Sequence, residues 1–137
     1  MLLDKVIKYY GSEYDLNCAE TILYGANEEY DLNLKKETFK AMAAFGGGMA
    51  IEETCGVATG AISVLGLIFI KDRAHESDYL KGLTKEFMDR FKEECSTLNC
   101  NHLKMKYRND EIRCLNIVEI GAEILDSIVV REMKKNN

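Results

Sequence analysis

The chain has 137 residues, of which 47% are hydrophobic and 30% charged, with a formal net charge of −5. That length suits a single core and predicts one domain over residues 1–137. The acidic balance leaves no basic stripe to neutralise phosphates, which excludes a nucleic-acid binder. No apolar run approaches the ~18 residues of a membrane span, which excludes membrane insertion. The opening Met1-Leu2-Leu3-Asp4-Lys5 lacks the layout of a signal peptide, so a cytoplasmic address is expected. Thiols are held reduced there, and the chain's five cysteines cannot all pair with one another.

Proline is absent, and the hydrophobic period is helical nearly throughout. Val6, Ile7 and Tyr10 predict a short first helix ended by Gly11. A second helix is expected from about Asp15 to Asn27, with Ala19, Ile22, Leu23 and Ala26 facing inward and Cys18 in the first turn. A third is expected just after Asn33 or Leu34, through Phe39, Met42 and Ala43 to Phe45, stopped by Gly46-Gly47-Gly48. Met49 to Thr54 reads as a loop, and Thr54 as the N-cap of a fourth helix beginning at Cys55. Gly56, Gly60 and Gly66 narrow that helix and allow close approach by a neighbour, or by a second copy in a homodimer. Ser77 to Glu94 predicts a long amphipathic helix, with Leu80, Leu83, Phe87, Met88 and Phe91 toward the core. Cys95 to Asn101 reads as a turn and Leu103 to Tyr107 as a helical turn. Asn109 is the expected cap of the last helix, with Asp110 and Glu111 complementing its dipole. The expected fold is an all-α, single-domain bundle of five or six helices.

Four cysteines share one local context. Cys18, Cys55, Cys100 and Cys114 each fall at or near a predicted helix start. Unpaired backbone N–H groups there favour the thiolate, which is the nucleophilic and metal-binding form. The bland alternative is that these cysteines only fill space, as buried free cysteines often do. That alternative is strongest for Cys114, which lies near Ile112 and Leu115. Glu52 and Glu53 would oppose a thiolate at Cys55 unless they face solvent. His75 reads as solvated. His102, two residues from Cys100, could tune a thiolate or bind a metal, though a surface role is the simpler reading.

The pattern resembles the C-GCAxxG-C-C family of redox-active proteins, whose members share four cysteines, one of them in a Cys-Gly-Ala-x-x-Gly motif. The resemblance runs through Asn17-Cys18-Ala19-Glu20, the glycine loop Phe45-Gly46-Gly47-Gly48-Met49, the stretch Cys55 to Gly60, and the cysteines Cys100 and Cys114. It covers nearly the whole chain. Val57 stands where the motif has Ala, and Cys95 is an extra cysteine outside the shared four. The family is also similar to part of split-Soret cytochromes, which carry haem and iron–sulfur centres. The resemblance therefore implies redox chemistry without fixing a cofactor. None, an iron–sulfur cluster or another metal all remain open, and so does the redox partner.

Three functions follow. In the dithiol reading, Cys55 is the nucleophile that attacks a disulfide, and Cys18 or Cys100 resolves the intermediate, with Cys114 the fourth member of the set. Cys-x-x-Cys is absent, so folding must assemble any pair. In the metal reading, Cys18, Cys55, Cys100 and Cys114 close around an iron–sulfur cluster or zinc. Gly46, Gly47, Gly48, Gly56 and Gly60 form the candidate cofactor-binding set, where bare backbone lets the chain approach the cysteines. Covalent haem is disfavoured, because Cys-x-x-Cys-His is missing. The third reading is a non-catalytic helical interaction module with packing cysteines.

Overall fold

The computed structural model describes residues 1–136 and contains seven α-helices and, among those residues, no strand. They are α1 (Leu2–Tyr9), α2 (Cys18–Glu29), α3 (Lys36–Lys40), α4 (Gly56–Phe69), α5 (Tyr79–Cys95), α6 (Cys100–Tyr107) and α7 (Leu115–Lys135). The all-α class stands. The count of five or six is corrected to seven, because the stretch read as the turn Cys95 to Asn101 gives way to an eight-residue helix at Cys100.

α4 is the central element. Its fourteen residues carry no charge, so it is apolar all round and must be covered on several sides. α2, α5 and α7 pack against it, and α1 closes the bundle against α2 and α7. One core cluster joins all of these, with Ile22, Leu65, Phe87, Phe91, Leu125 and Ile128 fully buried. Burying each such side chain contributes roughly 1.5–3 kcal/mol. Phe87 and Phe91, one turn apart on α5, stack with ring centroids 5.8 Å apart.

Two glycine contacts set the spacing around α4. A Cβ at Gly60 would stand 2.9 Å from the Ala19 carbonyl oxygen, so α2 crosses α4 at backbone distance. Gly121 of α7 receives Val57, whose Cγ1 fills the space a Cβ there would need. The larger residue at position 57 is therefore accommodated by the absence of a side chain at position 121. Gly56 likewise faces Phe45 and the start of α2. The glycine faces read above as a dimer surface are thus occupied within the chain at Gly56 and Gly60.

The helix starts differ from expectation in ways that matter for the cysteines. α2 begins at Cys18, behind an Asn17 capping box: the Asn17 side chain accepts from the Glu20 N–H at 2.8 Å, and the Glu20 carboxylate accepts from the Asn17 N–H at 2.9 Å. The cap of α4 is Cys55 itself, rather than Thr54. α7 begins at Leu115, not beside Asn109. Asn109 instead closes a tight turn, its side chain accepting from the Glu111 and Ile112 N–H groups and its carbonyl from Arg113 N–H. Arg113 then sits at φ 53°, and the helix starts behind Cys114. The third expected helix is shorter than predicted: α3 stops at Lys40, and a separate 3-10 turn covers Ala43–Phe45.

Candidate functional site

All four shared cysteines stand at the N-terminal end of a helix. Cys18 and Cys100 are the first residues of α2 and α6, while Cys55 and Cys114 are the N-caps of α4 and α7. The four helix starts meet at one cavity of about 80 Å³ lined by Cys18, Cys55, Cys100 and Cys114, with Gly47, Gly56, Lys104 and Arg108. All five cysteines of the chain are free thiols.

Backbone pairing fixes the positions. Residues 53–55 run antiparallel to 98–100: Cys55 N–H donates to Leu98 O at 2.8 Å, and Cys100 N–H donates to Glu53 O. This short ladder locks the starts of α4 and α6 together. On the other side, Tyr10 at the end of α1 holds the start of α7. Its hydroxyl accepts from Cys114 N–H at 3.0 Å, and its carbonyl accepts from the Arg113 guanidinium at 2.6 Å. That guanidinium also lies over the Tyr10 ring, 4.2 Å from the centroid. The cysteine at the head of α7 is therefore held by a helix more than a hundred residues earlier in the chain.

The thiols differ in electrostatics. Arg108 Nη1 donates to Cys114 Sγ at 3.3 Å. The Cys18 thiol, which donates toward Cys114, is the largest influence on that sulfur and the Arg108 cation the next favourable one; together they lower the Cys114 thiol to about 6 despite its burial. Cys18, which is partly buried, is pushed well up, chiefly because it is the donor in that pair and then by desolvation and the neighbouring thiols. Burial raises Cys55 to about 12, outweighing the Val57 and Ala58 N–H groups that favour its thiolate. Burial likewise raises Cys100, against the pull of Lys104. The helix start that favours ionisation at Cys55 is thus present, but desolvation dominates. Of the four thiols, Cys114 is the one whose neighbours favour the ionised form, the Cys18 thiol first and the Arg108 guanidinium next, while burial disfavours that form at Cys55, the nucleophile of the dithiol reading above.

The remaining positions divide. Gly47 and Gly56 line the cavity. Gly48, at φ 62°, packs on Cys100, where a Cβ would stand 2.7 Å from the Cys100 Cβ. Gly46 packs on the Asn17 side chain, and Gly60 faces α2 rather than the cavity. Glu52 and Glu53 are exposed, and Glu52 pairs with Lys104 at 3.2 Å. Cys95 is buried at the end of α5, outside the cavity lining. His102 and His75 are exposed. Among the described residues, no group of three or more His, Cys, Asp or Glu side chains is disposed to hold a metal ion. One of the four thiols is matched to an arginine.

Sequence reasoning missed Arg108, Lys104 and Tyr10. A signal existed for the first two: Lys104, Lys106, Arg108 and Arg113 form a local basic run, between two cysteines, in an otherwise acidic chain. Nothing in the sequence singled out Tyr10.

The chain matches the model of the family described as "Putative redox-active protein (C_GCAxxG_C_C)" over residues 16–128. No curated protein and no solved structure matches it. Among the described residues, no helix is long and apolar enough to cross a membrane.

Proposed function

The chain belongs to the C_GCAxxG_C_C family of redox-active proteins, and from that premise we propose that it is a thiol redox protein whose working pair is Cys114 and Cys18. Cys114 is the nucleophile and Cys18 the resolving thiol. The observation that carries this assignment is the Arg108 Nη1 to Cys114 Sγ contact at 3.3 Å, with Cys18 in the same cavity.

The reaction is a two-electron exchange. The Cys114 thiolate attacks one sulfur of a disulfide, forming a mixed disulfide and releasing the other sulfur as a thiolate that takes a proton. Cys18 gives up its proton and attacks the Cys114 sulfur, which releases the second thiolate. The protein ends with a Cys18–Cys114 disulfide, two electrons poorer, and its partner ends as two thiols. Arg108 keeps the attacking sulfur ionised near neutral pH, where an ordinary thiol is only a few per cent thiolate. Cys55 and Cys100, held protonated by burial, stand by in the same cavity. Such a cycle suits the cytoplasm, where external thiols restore the reduced form.

Oxidation of the native protein with a diazene dicarboxamide reagent, followed by peptide mass mapping, tests the pair. A cross-linked peptide holding Cys18 and Cys114 is the expected result. Five unmodified thiols after complete reaction would contradict it.

A further inference from the structure

Cys114 can pass electrons to oxidants other than a disulfide, and the cavity bears on which of them reaches it best. At about 80 Å³ it has room for a few waters or a molecule of similar size. Pockets that enclose drug-sized ligands start near 300 Å³. Cys114 is 6% exposed and Cys100 7%, while Cys18 is partly exposed, so the nucleophile of the pair is the less accessible of the two. A peptide disulfide is much larger than this space and reaches Cys114 less readily than a small oxidant does. A hydroperoxide of two heavy atoms fits within it.

The lining suits that reactant. Arg108 is bound to the Cys114 sulfur from one side. Lys104, one turn earlier on α6, lines the same space and is steadied by Glu52. Cleavage of an O–O bond by a thiolate develops negative charge on the departing oxygen, and fixed cationic donors beside the sulfur stabilise that charge. A second thiol, Cys18, stands next to the nucleophile to resolve the product.

Resting on the Cys114–Cys18 assignment, we propose that the cavity is a reaction site for hydrogen peroxide, in which Cys114 is the peroxide-reducing thiol and Cys18 the resolving one. The Cys114 thiolate attacks one peroxide oxygen, the O–O bond breaks, and hydroxide leaves and takes a proton from solvent to become water. Cys114 is then a sulfenic acid. The Cys18 sulfur displaces its hydroxyl group, which departs as a second water with the Cys18 proton. The two thiols lose two electrons in forming the disulfide, and the peroxide gains them in becoming two waters. A dithiol reductant closes the cycle.

The test mixes the reduced full chain with hydrogen peroxide, with cumene hydroperoxide and with oxidised glutathione in separate arms, and follows thiol loss and the site of oxidation by mass. Hydrogen peroxide should react about 100-fold faster than with free cysteine. It should also outpace both bulky oxidants and give the Cys18–Cys114 disulfide. In Cys18→Ser, which keeps a hydroxyl donor toward Cys114, peroxide should leave a Cys114 sulfenic acid trapped by dimedone. Arg108→Gln should slow the peroxide arm while circular dichroism shows an intact fold. If oxidised glutathione forms the Cys18–Cys114 pair faster than peroxide does, the peroxide proposal falls and the redox pair stands. Equal rates for hydrogen peroxide and cumene hydroperoxide would also overturn it, because the cavity would then exclude nothing. If no oxidant joins Cys18 to Cys114, both readings fall.

Discussion

At the residue scale, four thiols at four helix starts are not equivalent, and the difference is what stands beside Cys114: the Cys18 thiol first and the Arg108 guanidinium next. A helix N-terminus favours the thiolate, but burial opposes it by more at Cys55 and Cys100. The Cys18 thiol, and after it Arg108, tips the balance at Cys114 alone. Arg108→Gln should therefore return Cys114 toward the ordinary thiol range and cut its alkylation rate at neutral pH by roughly 10-fold or more. Rapid-quench labelling with iodoacetamide measures this directly. Stability carries the same signature. Cys18, Cys55, Cys95 and Cys100 have raised values in the folded state. Their contribution is complete below the unfolded value of ~8.5 and is lost as pH rises from there through the folded values. The thermal midpoint of the reduced protein should fall above pH ~8.5. Cys114 has the opposite sign: its lowered value stabilises above ~8.5, and that part is lost as pH falls through about 6. Replacing Cys114 by Ser should flatten the decline toward acid pH and leave the alkaline decline in place.

At the scale of elements, the bundle was largely legible, because amphipathic and all-apolar periods survive folding. The long helix of Leu80, Leu83, Phe87 and Phe91 and the apolar run after Cys55 were found in place. The boundaries that create the site were not legible. α7 starts at Leu115 because Asn109 spends its side chain on a turn and Tyr10, a hundred residues away in sequence, captures Cys114 N–H. Local pattern cannot report a hydrogen bond of that range. The stretch Met49 to Thr54 was expected only as a loop, and within it Met49, Ala50 and Glu52 all take positive φ. Ala50, exposed at φ 68°, costs energy there that glycine would not. Ala50→Gly should raise stability by about 1 kcal/mol in urea unfolding. Gly121→Ala should lower it by about 1–3 kcal/mol through collision with Val57, and adding Val57→Ala should recover part of that loss. Recovery identifies the α4–α7 crossing as the place where the extra bulk of Val57 is absorbed.

At the scale of the whole molecule, the architecture brings residues 18, 55, 100 and 114 to one cavity around a central apolar helix, while Cys95 stays in the core beyond it. The gathering of the four thiols could be anticipated from their shared position at helix starts; the identity of the ionised one could not, since Arg108 is six residues away and carries no motif. Joining Cys18 to Cys114 would close a loop of roughly 100 residues, which in the chain-entropy account stabilises by up to ~4.7 kcal/mol. The oxidised protein should therefore melt above the reduced one. The most direct test of the account is the pH dependence of alkylation, resolved cysteine by cysteine by mass. Cys114 should label first, with a midpoint near pH 6, while Cys18, Cys55, Cys95 and Cys100 stay protected past neutrality. Labelling that begins at Cys55, or no thiol that ionises below the ordinary range, would contradict it.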